Sequence, residues 1–298
     1  MPTDKRHQTT EQNEAWKTET SSITELREKA REIRRLILTS VHHAGAGHLG
    51  GPLSAADMLA ALYFRFLRVD PANPGWAERD RFILSKGHSA IGVYVTLAVR
   101  GYFPVAELHT FDAIDSRLQG HPDMTVTPGV DMSTGSLGQG LSPGVGMALG
   151  ARMKGMAFRT WVMLGDGEMQ EGQVWEAIEV AARYRLDNLT AIVDNNRLPQ
   201  YTWPDFGQRG RGRPIENLAA KWTAFGWRVL ECDGHDMEAI VRTFEDASQP
   251  TDGRPAVVIA HTVKGKGVSF MEDEFPWHAK PLDDDDLRRA LAEIEESA

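Results

Sequence analysis

Two short segments carry groups suited to gripping a charged ligand. Gly165-Asp166-Gly167 follows an apolar, β-rich run, Thr160 to Leu164. Its glycines let the backbone turn sharply and approach a ligand closely. Asp166 between them offers a hard carboxylate oxygen suited to Mg²⁺ or Ca²⁺. Thirty positions later (166 to 196), after a second apolar run, stand Asp194-Asn195-Asn196. If the two runs are neighbouring parallel strands, the Asp166 carboxylate and the Asn196 amide oxygen reach one cation. The backbone carbonyl of Leu198, two residues on, would then be a third ligand. A cation held by so few protein oxygens keeps positions for diphosphate oxygens and water, and the Gly167 N–H is free to meet the same diphosphate. A Gly-Asp-Gly alone commonly marks only a turn. The order strand, Gly-Asp-Gly, helix, strand, Asn-Asn is a stronger signal than the turn alone.

Histidine is the second resource, with ten in the chain. Several fall in glycine-containing loops: His48 in Gly47-His48-Leu49-Gly50-Gly51, His88 in Ser85-Lys86-Gly87-His88, His121 in Gly120-His121-Pro122, and His278 after Trp277. Imidazole titrates near neutral pH and can shuttle protons or donate a hydrogen bond to developing charge. His42 and His43 precede the first of these loops and receive no role.

The pattern around these residues predicts the frame that positions them. Residues 1–20 read as a tail. A helix runs from about Ser22 to Val41, and the Gly-rich stretch Ala44 to Gly51 reads as a loop. Ser54 offers an N-cap for a helix over Ala55 to Phe66. A strand, Arg81 to Leu84, is followed by a polar loop and a helix to about Arg100. Residues 104–134 are mostly loop with one short helix. Strands are then expected at 160–164, 189–194, 227–232 and 256–261, with helices at 173–184, 214–225 and 235–246. Such alternation implies an α/β fold, a parallel sheet with helices on both faces, whose ligands bind beyond the carboxyl ends of the strands. Asp283 to Asp286 reads as the cap of a last helix rather than a metal site, because carboxylates favour a helix N-terminus. The domain expectation is a tail (1–20), one large domain (21–282) and a C-terminal helix (283–298).

Composition narrows the class further. The 298 residues are 41% hydrophobic, enough for a sizeable core, and the net charge is −9 without a basic run, which argues against nucleic acid. No apolar stretch has the length of a membrane span, and the polar N-terminus lacks a secretory signal pattern. The lone Cys232 rules out an internal disulfide, fits a reducing cytoplasm and reads as a core residue at a strand end.

Six motifs, in order from about residue 40 to 282, resemble the transketolase family. Gly165-Asp166-Gly167 with Asn195-Asn196 is similar to the thiamine-diphosphate fingerprint. Gly47-His48-Leu49-Gly50 resembles the family's Gly-His-Pro-Gly, with Leu49 in place of Pro and Ala46 where Ser is common. Arg81 to His88 resembles Arg-Phe-(Val/Ile)-Leu-Ser-x-Gly-His, and Gly120-His121-Pro122 matches Gly-His-Pro. Ser133 to Gly140 resembles the loop Thr-Gly-(Ser/Pro)-Leu-Gly-Gln-Gly that borders thiamine and precedes a helix. Lys264-Gly265-Lys266-Gly267 with Trp277-His278 resembles the end of the same domain.

The resemblance implies a thiamine-diphosphate-binding fold and a division of labour. His88, Gly135, Ser136, Leu137, Gly167, Asn196 and His278 would meet the cofactor. Asp166, Asn196 and the Leu198 carbonyl would hold Mg²⁺, with Ca²⁺ or Mn²⁺ as substitutes. His48, His121 and His278 would face substrate during transfer of a two-carbon ketol unit between sugar phosphates; the charged segment before His278, with few hydrophobic anchors, reads as a mobile loop. In the family a Glu of a separate pyrimidine-binding domain activates the cofactor. Glu168, Glu171 and Glu176 are poor substitutes, tied to the diphosphate end, and fit a helix or subunit interface. The expected partner is therefore a C-terminal transketolase subunit bearing the pyrimidine-binding domain, in a heterotetramer. Three alternatives are an α-subunit of a 2-oxo-acid dehydrogenase, a deoxyxylulose-phosphate-synthase-like chain and an inactive binding subunit. The first should lack the Leu-Ser-Lys-Gly-His and Gly-His-Pro loops, the second is normally a longer chain, and intact Asp166, Asn196 and histidines weigh against the third.

Overall fold

The computed structural model describes residues 20–198, 217–249 and 252–296. The expected tail and the first residues of the 214–225 helix lie largely outside them. Five strands form one sheet: β1 (Arg81–Leu84), β2 (Thr160–Gly165), β3 (Leu189–Asn195), β4 (Arg228–Asp233) and β5 (Ala256–His261). Their order is β1-β2-β3-β5-β4 and every pairing is parallel. Gly165 pairs in register with Asp194, and Asn195 with His261, so the three segments that follow these strands emerge side by side at one edge.

Alternation along each strand divides the core in two, as a period of two requires. Phe82, Leu84, Trp161, Met163, Ile192 and Val258 face one apolar cluster. It is completed by α1 (Ile23–Ala44), α2 (Gly50–Ala61), α3 (Ala90–Arg100), α7 (Met237–Ser248) and α8 (Asp284–Glu296). Ile83, Val162, Leu164, Ala191, Val193 and Val257 face the other, covered by α4 (Leu141–Met153), α5 (Gly172–Arg183) and α6 (Leu218–Ala224). This is the expected doubly covered parallel sheet. Cys232 is buried at the end of β4. No helix among the described residues is long and apolar enough to cross a membrane.

The largest departure is at α2. Gly50 and Gly51 are not loop residues: they form its first turn, and Ser54 lies inside the helix rather than capping it. The Ser54 hydroxyl donates to the Gly51 carbonyl at 2.9 Å and to Asp194 Oδ2 at 2.6 Å. Every residue of α2 is buried, so tertiary packing outweighs the weak helix propensity of two glycines. The helix also stops at Ala61, and Leu62–Phe66 continues as a wider π-turn. At the other end of the chain, α8 begins at Asp284, with Asp283 accepting from the Asp286 N–H at 2.8 Å, the cap that the acidic run implied.

Candidate functional site

The site lies where β1, β2 and β3 end. A cavity of ≈ 200 Å³ is lined by Gly51, Lys86, His88, Leu137, the Gly165–Glu168 turn, Gln170, Glu171, Asn196, Leu198, Lys264 and His278. It thus gathers Asp166, Gly167, Asn196 and Leu198 with His88, Leu137 and His278, all expected from sequence.

The metal side has a defined order. Asp166 is buried, and its two oxygens accept the Gly167 N–H at 2.8 Å and the Arg197 N–H at 2.6 Å. The Asn196 amide oxygen accepts the Leu198 N–H at 3.2 Å, which closes a short turn and brings the Leu198 carbonyl round. Burial, then the neighbouring Asp194 charge, pushes the Asp166 carboxyl up to about 6. Among the described residues no three His, Cys, Asp or Glu side chains gather as metal ligands. A cation here would therefore rest on one carboxylate, an amide oxygen and a carbonyl, which is oxygen chemistry suited to Mg²⁺.

Two buried lysines were not foreseen. The Lys264 ammonium donates to the Leu198 carbonyl at 2.7 Å and lies 2.6 Å from His278 Nδ1. Burial brings it down to about 8. The Lys86 ammonium donates to the Gly51 carbonyl at 3.0 Å and pairs with Asp194, which also accepts from Ser54 and Thr262. Both sit inside motifs quoted for their histidines, Leu-Ser-Lys-Gly-His and Lys-Gly-Lys-Gly. The signal was present, but nothing local marks a lysine as buried.

Three imidazoles pack as a cluster. The rings of His48, His88 and His278 are 5.1–5.2 Å apart, centre to centre. Burial first, then the charge of Lys86, takes His88 down to about 2, and burial with the Lys264 charge takes His278 to about 3. His48 is lowered too, by burial and then by His121 and Lys264. All three are therefore neutral near pH 7. His121 is exposed and makes no ring contact with the three, though its charge acts on His48; it lies against Gly135, where a Cβ would lie 3.0 Å from its ring. Gly135 and Ser136 are not part of the cavity wall; Leu137 is. His278 was expected on a mobile loop with few hydrophobic anchors. It lies on a short helical turn, Phe275–His278, and both it and Trp277 are buried.

Glu168 also differs from expectation. It lies on the short helical turn Gly167–Gln170, but buried rather than at an interface surface. Its carboxylate is buried and accepts from the Ser85 hydroxyl, the Gly138 N–H at 2.8 Å and the Gly165 N–H at 3.1 Å. Three donors occupy it, so it ties the Gly135–Gly138 loop to the Gly-Asp-Gly turn and is not free to activate a cofactor. Glu171 and Glu176 are exposed, as an interface role would require.

A family model described as transketolase, thiamine diphosphate binding domain, matches residues 26–294. The chain belongs to this family. A 6-deoxy-6-sulfo-D-fructose transketolase subunit of Clostridium sp. (strain MSTE9) is 44% identical over 91% of this chain and 96% of its own length. An apulose-4-phosphate transketolase subunit of Phocaeicola vulgatus is 43% identical over 88% of this chain and 91% of its own. The crystal structure of transketolase from Campylobacter jejuni superposes with a TM-score of 0.84 at 31% identity, covering 92% of this chain but 43% of that one. The chain thus spans less than half the length of such transketolases and nearly the whole of the two subunits. The buried Asp166 carboxylate and Lys264 ammonium are suited to the cofactor for which the family is named: the ammonium would meet anionic diphosphate oxygens, and the carboxylate with the Asn196 amide oxygen would meet a cation.

Proposed function

We propose that this chain holds the diphosphate of thiamine diphosphate together with Mg²⁺, and that with a partner chain it forms a transketolase. The reaction moves a two-carbon ketol unit from a ketose to an aldehyde. The observation that carries this is the convergence of Asp166, Asn196, the Leu198 carbonyl and Lys264 in one cavity that His88 and His278 also line. Bound thiamine diphosphate supplies the carbon nucleophile and electron sink for the transfer.

The chain's own residues do the rest. Asp166, the Asn196 amide oxygen and the Leu198 carbonyl hold Mg²⁺, with Ca²⁺ or Mn²⁺ as substitutes. Lys264 and His88 take diphosphate oxygens, the Gly167 N–H being given to Asp166 Oδ1 rather than left free as the sequence suggested, and Gly135, Ser136 and Leu137 border the ring end. His48, His121 and His278 face the reacting carbonyl and hydroxyl groups. As neutral imidazoles, His48 and His278 can donate a hydrogen bond to an oxygen that gains charge and pass a proton on. His278 Nδ1 accepts from Lys264, which leaves its Nε2–H for this purpose.

A partner is supported by the relatives of similar length, which are named subunits, and by the three donors that already occupy Glu168. The partner we propose is a C-terminal transketolase subunit carrying the pyrimidine-binding domain and its activating Glu, in a heterotetramer. The two relatives are named for a sulfonated and a phosphorylated sugar; an anionic ketose is the substrate class proposed here. The test is ketol transfer with thiamine diphosphate and Mg²⁺, by the chain alone and with its partner, over phosphorylated, sulfonated and neutral ketoses. Full turnover without a partner would sink the two-chain assignment, and a preference for neutral ketoses the substrate class.

A further inference from the structure

Behind the cavity, a second polar cluster surrounds Asp57 on α2. Asp57 is buried and forms a two-toothed pair with Arg34 of α1, at 3.0 Å for Oδ1 and 2.5 Å for Oδ2. Its Oδ2 also lies 2.8 Å from His235 Nδ1, just before α7. Burial alone would raise this carboxyl, but the Arg34 charge and the His235 hydrogen bond outweigh it and hold it at about 2. It is therefore an acceptor at any ordinary pH, so His235 Nδ1 must carry the proton. The other ring nitrogen, Nε2, is 2.8 Å from the Val263 N–H, which can only donate. His235 is accordingly the neutral Nδ1–H tautomer.

The target of this cluster is the turn that carries Lys264. His235 holds the Val263 N–H on one side of Lys264, and Arg34 Nε donates to the Lys266 carbonyl at 3.1 Å on the other. One carboxylate thus orients two groups that straddle a single lysine. The turn between them needs glycine: Gly265 has φ +81, and a Cβ there would lie 2.4 Å from the Met271 carbonyl oxygen. Asp57 is three residues along α2 from Ser54, which binds Asp194 and so Lys86. Adjacent turns of one buried helix therefore fix both ammonium groups.

We propose that His235, oriented by Asp57, is a positioning residue of the cofactor site, fixing through the Val263 N–H the turn from which Lys264 reaches the cavity. The clause about the cofactor rests on the diphosphate reading given above. The tautomer is read directly by NMR of the full chain with ¹⁵N-labelled histidine, the His235 signals being those absent from His235→Gln. A protonated Nδ1 and bare Nε2 at neutral pH are expected; an Nε2–H tautomer or an imidazolium overturns the proposal.

His235→Phe keeps the ring volume and removes both bonds. It should abolish exchange protection of the Val263 amide and weaken thiamine diphosphate binding by the assembled enzyme roughly tenfold, with kcat at saturating cofactor kept within about threefold. His235→Gln, with an amide N–H for Asp57 and an oxygen for Val263, should recover part of the affinity. Retained Val263 protection in His235→Phe, or equal losses in Phe and Gln, overturns the assignment. The tautomer and exchange measurements involve no cofactor. If the wild-type assembly fails to bind thiamine diphosphate, the functional reading falls while these two still decide the role of His235.

Discussion

Gly50 opens α2 directly over the aliphatic stem of Lys264, and Gly50→Ala should weaken cofactor binding while leaving the chain folded. A Cβ at this position would stand 2.7 Å from Lys264 Cγ, 3.0 Å from Cε and 3.3 Å from Cδ, whereas ordinary contact begins at 3.4 Å. The stem must therefore give by about 0.7 Å, from 2.7 to 3.4 Å. The ammonium is held at 2.7 Å from the Leu198 carbonyl and 2.6 Å from His278 Nδ1. A displacement of that size along either bond takes it to the edge of hydrogen bonding. Overpacking costs about 1–3 kcal/mol, and the better helix propensity of alanine returns up to about 1 kcal/mol, so the fold survives. A hydrogen bond to a charged group is worth about 1.5–3 kcal/mol, which corresponds to about 10- to 150-fold in affinity. The assay is calorimetric titration of the assembled enzyme with thiamine diphosphate at fixed Mg²⁺. Lys264→Ala removes the stem that the new methyl strikes. On that background Gly50→Ala should add less than about 0.5 kcal/mol. Equal losses on both backgrounds, or unchanged affinity in the single variant, would refute the reasoning.

Three further outcomes follow from the same geometry. Asp166→Ala removes the one carboxylate at the proposed cation and should abolish Mg²⁺-dependent cofactor binding; calorimetry showing wild-type affinity would exclude Asp166 as a ligand. Asp57 is held at about 2 against an ordinary 3.8, so its ionised form contributes about 2 kcal/mol that is fully present above pH 3.8 and lost as pH falls through about 2. Thermal melts of wild type and Asp57→Asn should accordingly converge between pH 5 and pH 2, and a constant gap would deny the depressed carboxyl. His278→Ala should lower kcat at saturating cofactor about 10²-fold, more than it weakens Mg²⁺ binding, because in the proposed reaction its Nε2–H serves the reacting end, and it should also cost cofactor affinity through the lost Lys264 partner; steady-state kinetics at saturating cofactor with under a few-fold loss in kcat/KM would remove it from the chemistry.

Much of the fold was legible because strands and amphipathic helices write their period into the sequence. The parallel sheet, its two faces and the meeting of Gly-Asp-Gly with Asn-Asn follow from apolar runs of β-rich residues separated by helices. Registers such as Gly165 with Asp194 then follow from strand adjacency. The start of α2 was not legible. Gly50-Gly51-Pro52 is a poor helix former locally, and what makes it helical is total burial, with Ser54 and Asp57 spending their polar groups on partners 140 and 178 residues away. Local propensity yields to tertiary contact wherever every face of a helix is buried. His278 was misplaced for a related reason: the charged stretch before it reads as open loop, but Trp277 anchors the turn in the core.

The lysines show where sequence reading ends and what the fold adds. A lysine beside a histidine in a polar loop reads as a surface charge, because lysine is almost never buried without a partner. Here Lys86 has one, the buried carboxylate of Asp194. Lys264 has none among the described residues. It is held by a carbonyl and a neutral imidazole, neither of which cancels its charge. Asp166 is its counterpart, a buried carboxylate whose oxygens accept only from backbone N–H groups among the described residues. Burial drives both toward their neutral forms, Lys264 down and Asp166 up. A ligand of bare positive or bare negative charge would relieve one and aggravate the other. A cation together with a diphosphate would relieve both at once, Asp166 holding the one and Lys264 the other. That paired demand is a tertiary property, and it supports the proposed metal–diphosphate over either ion alone.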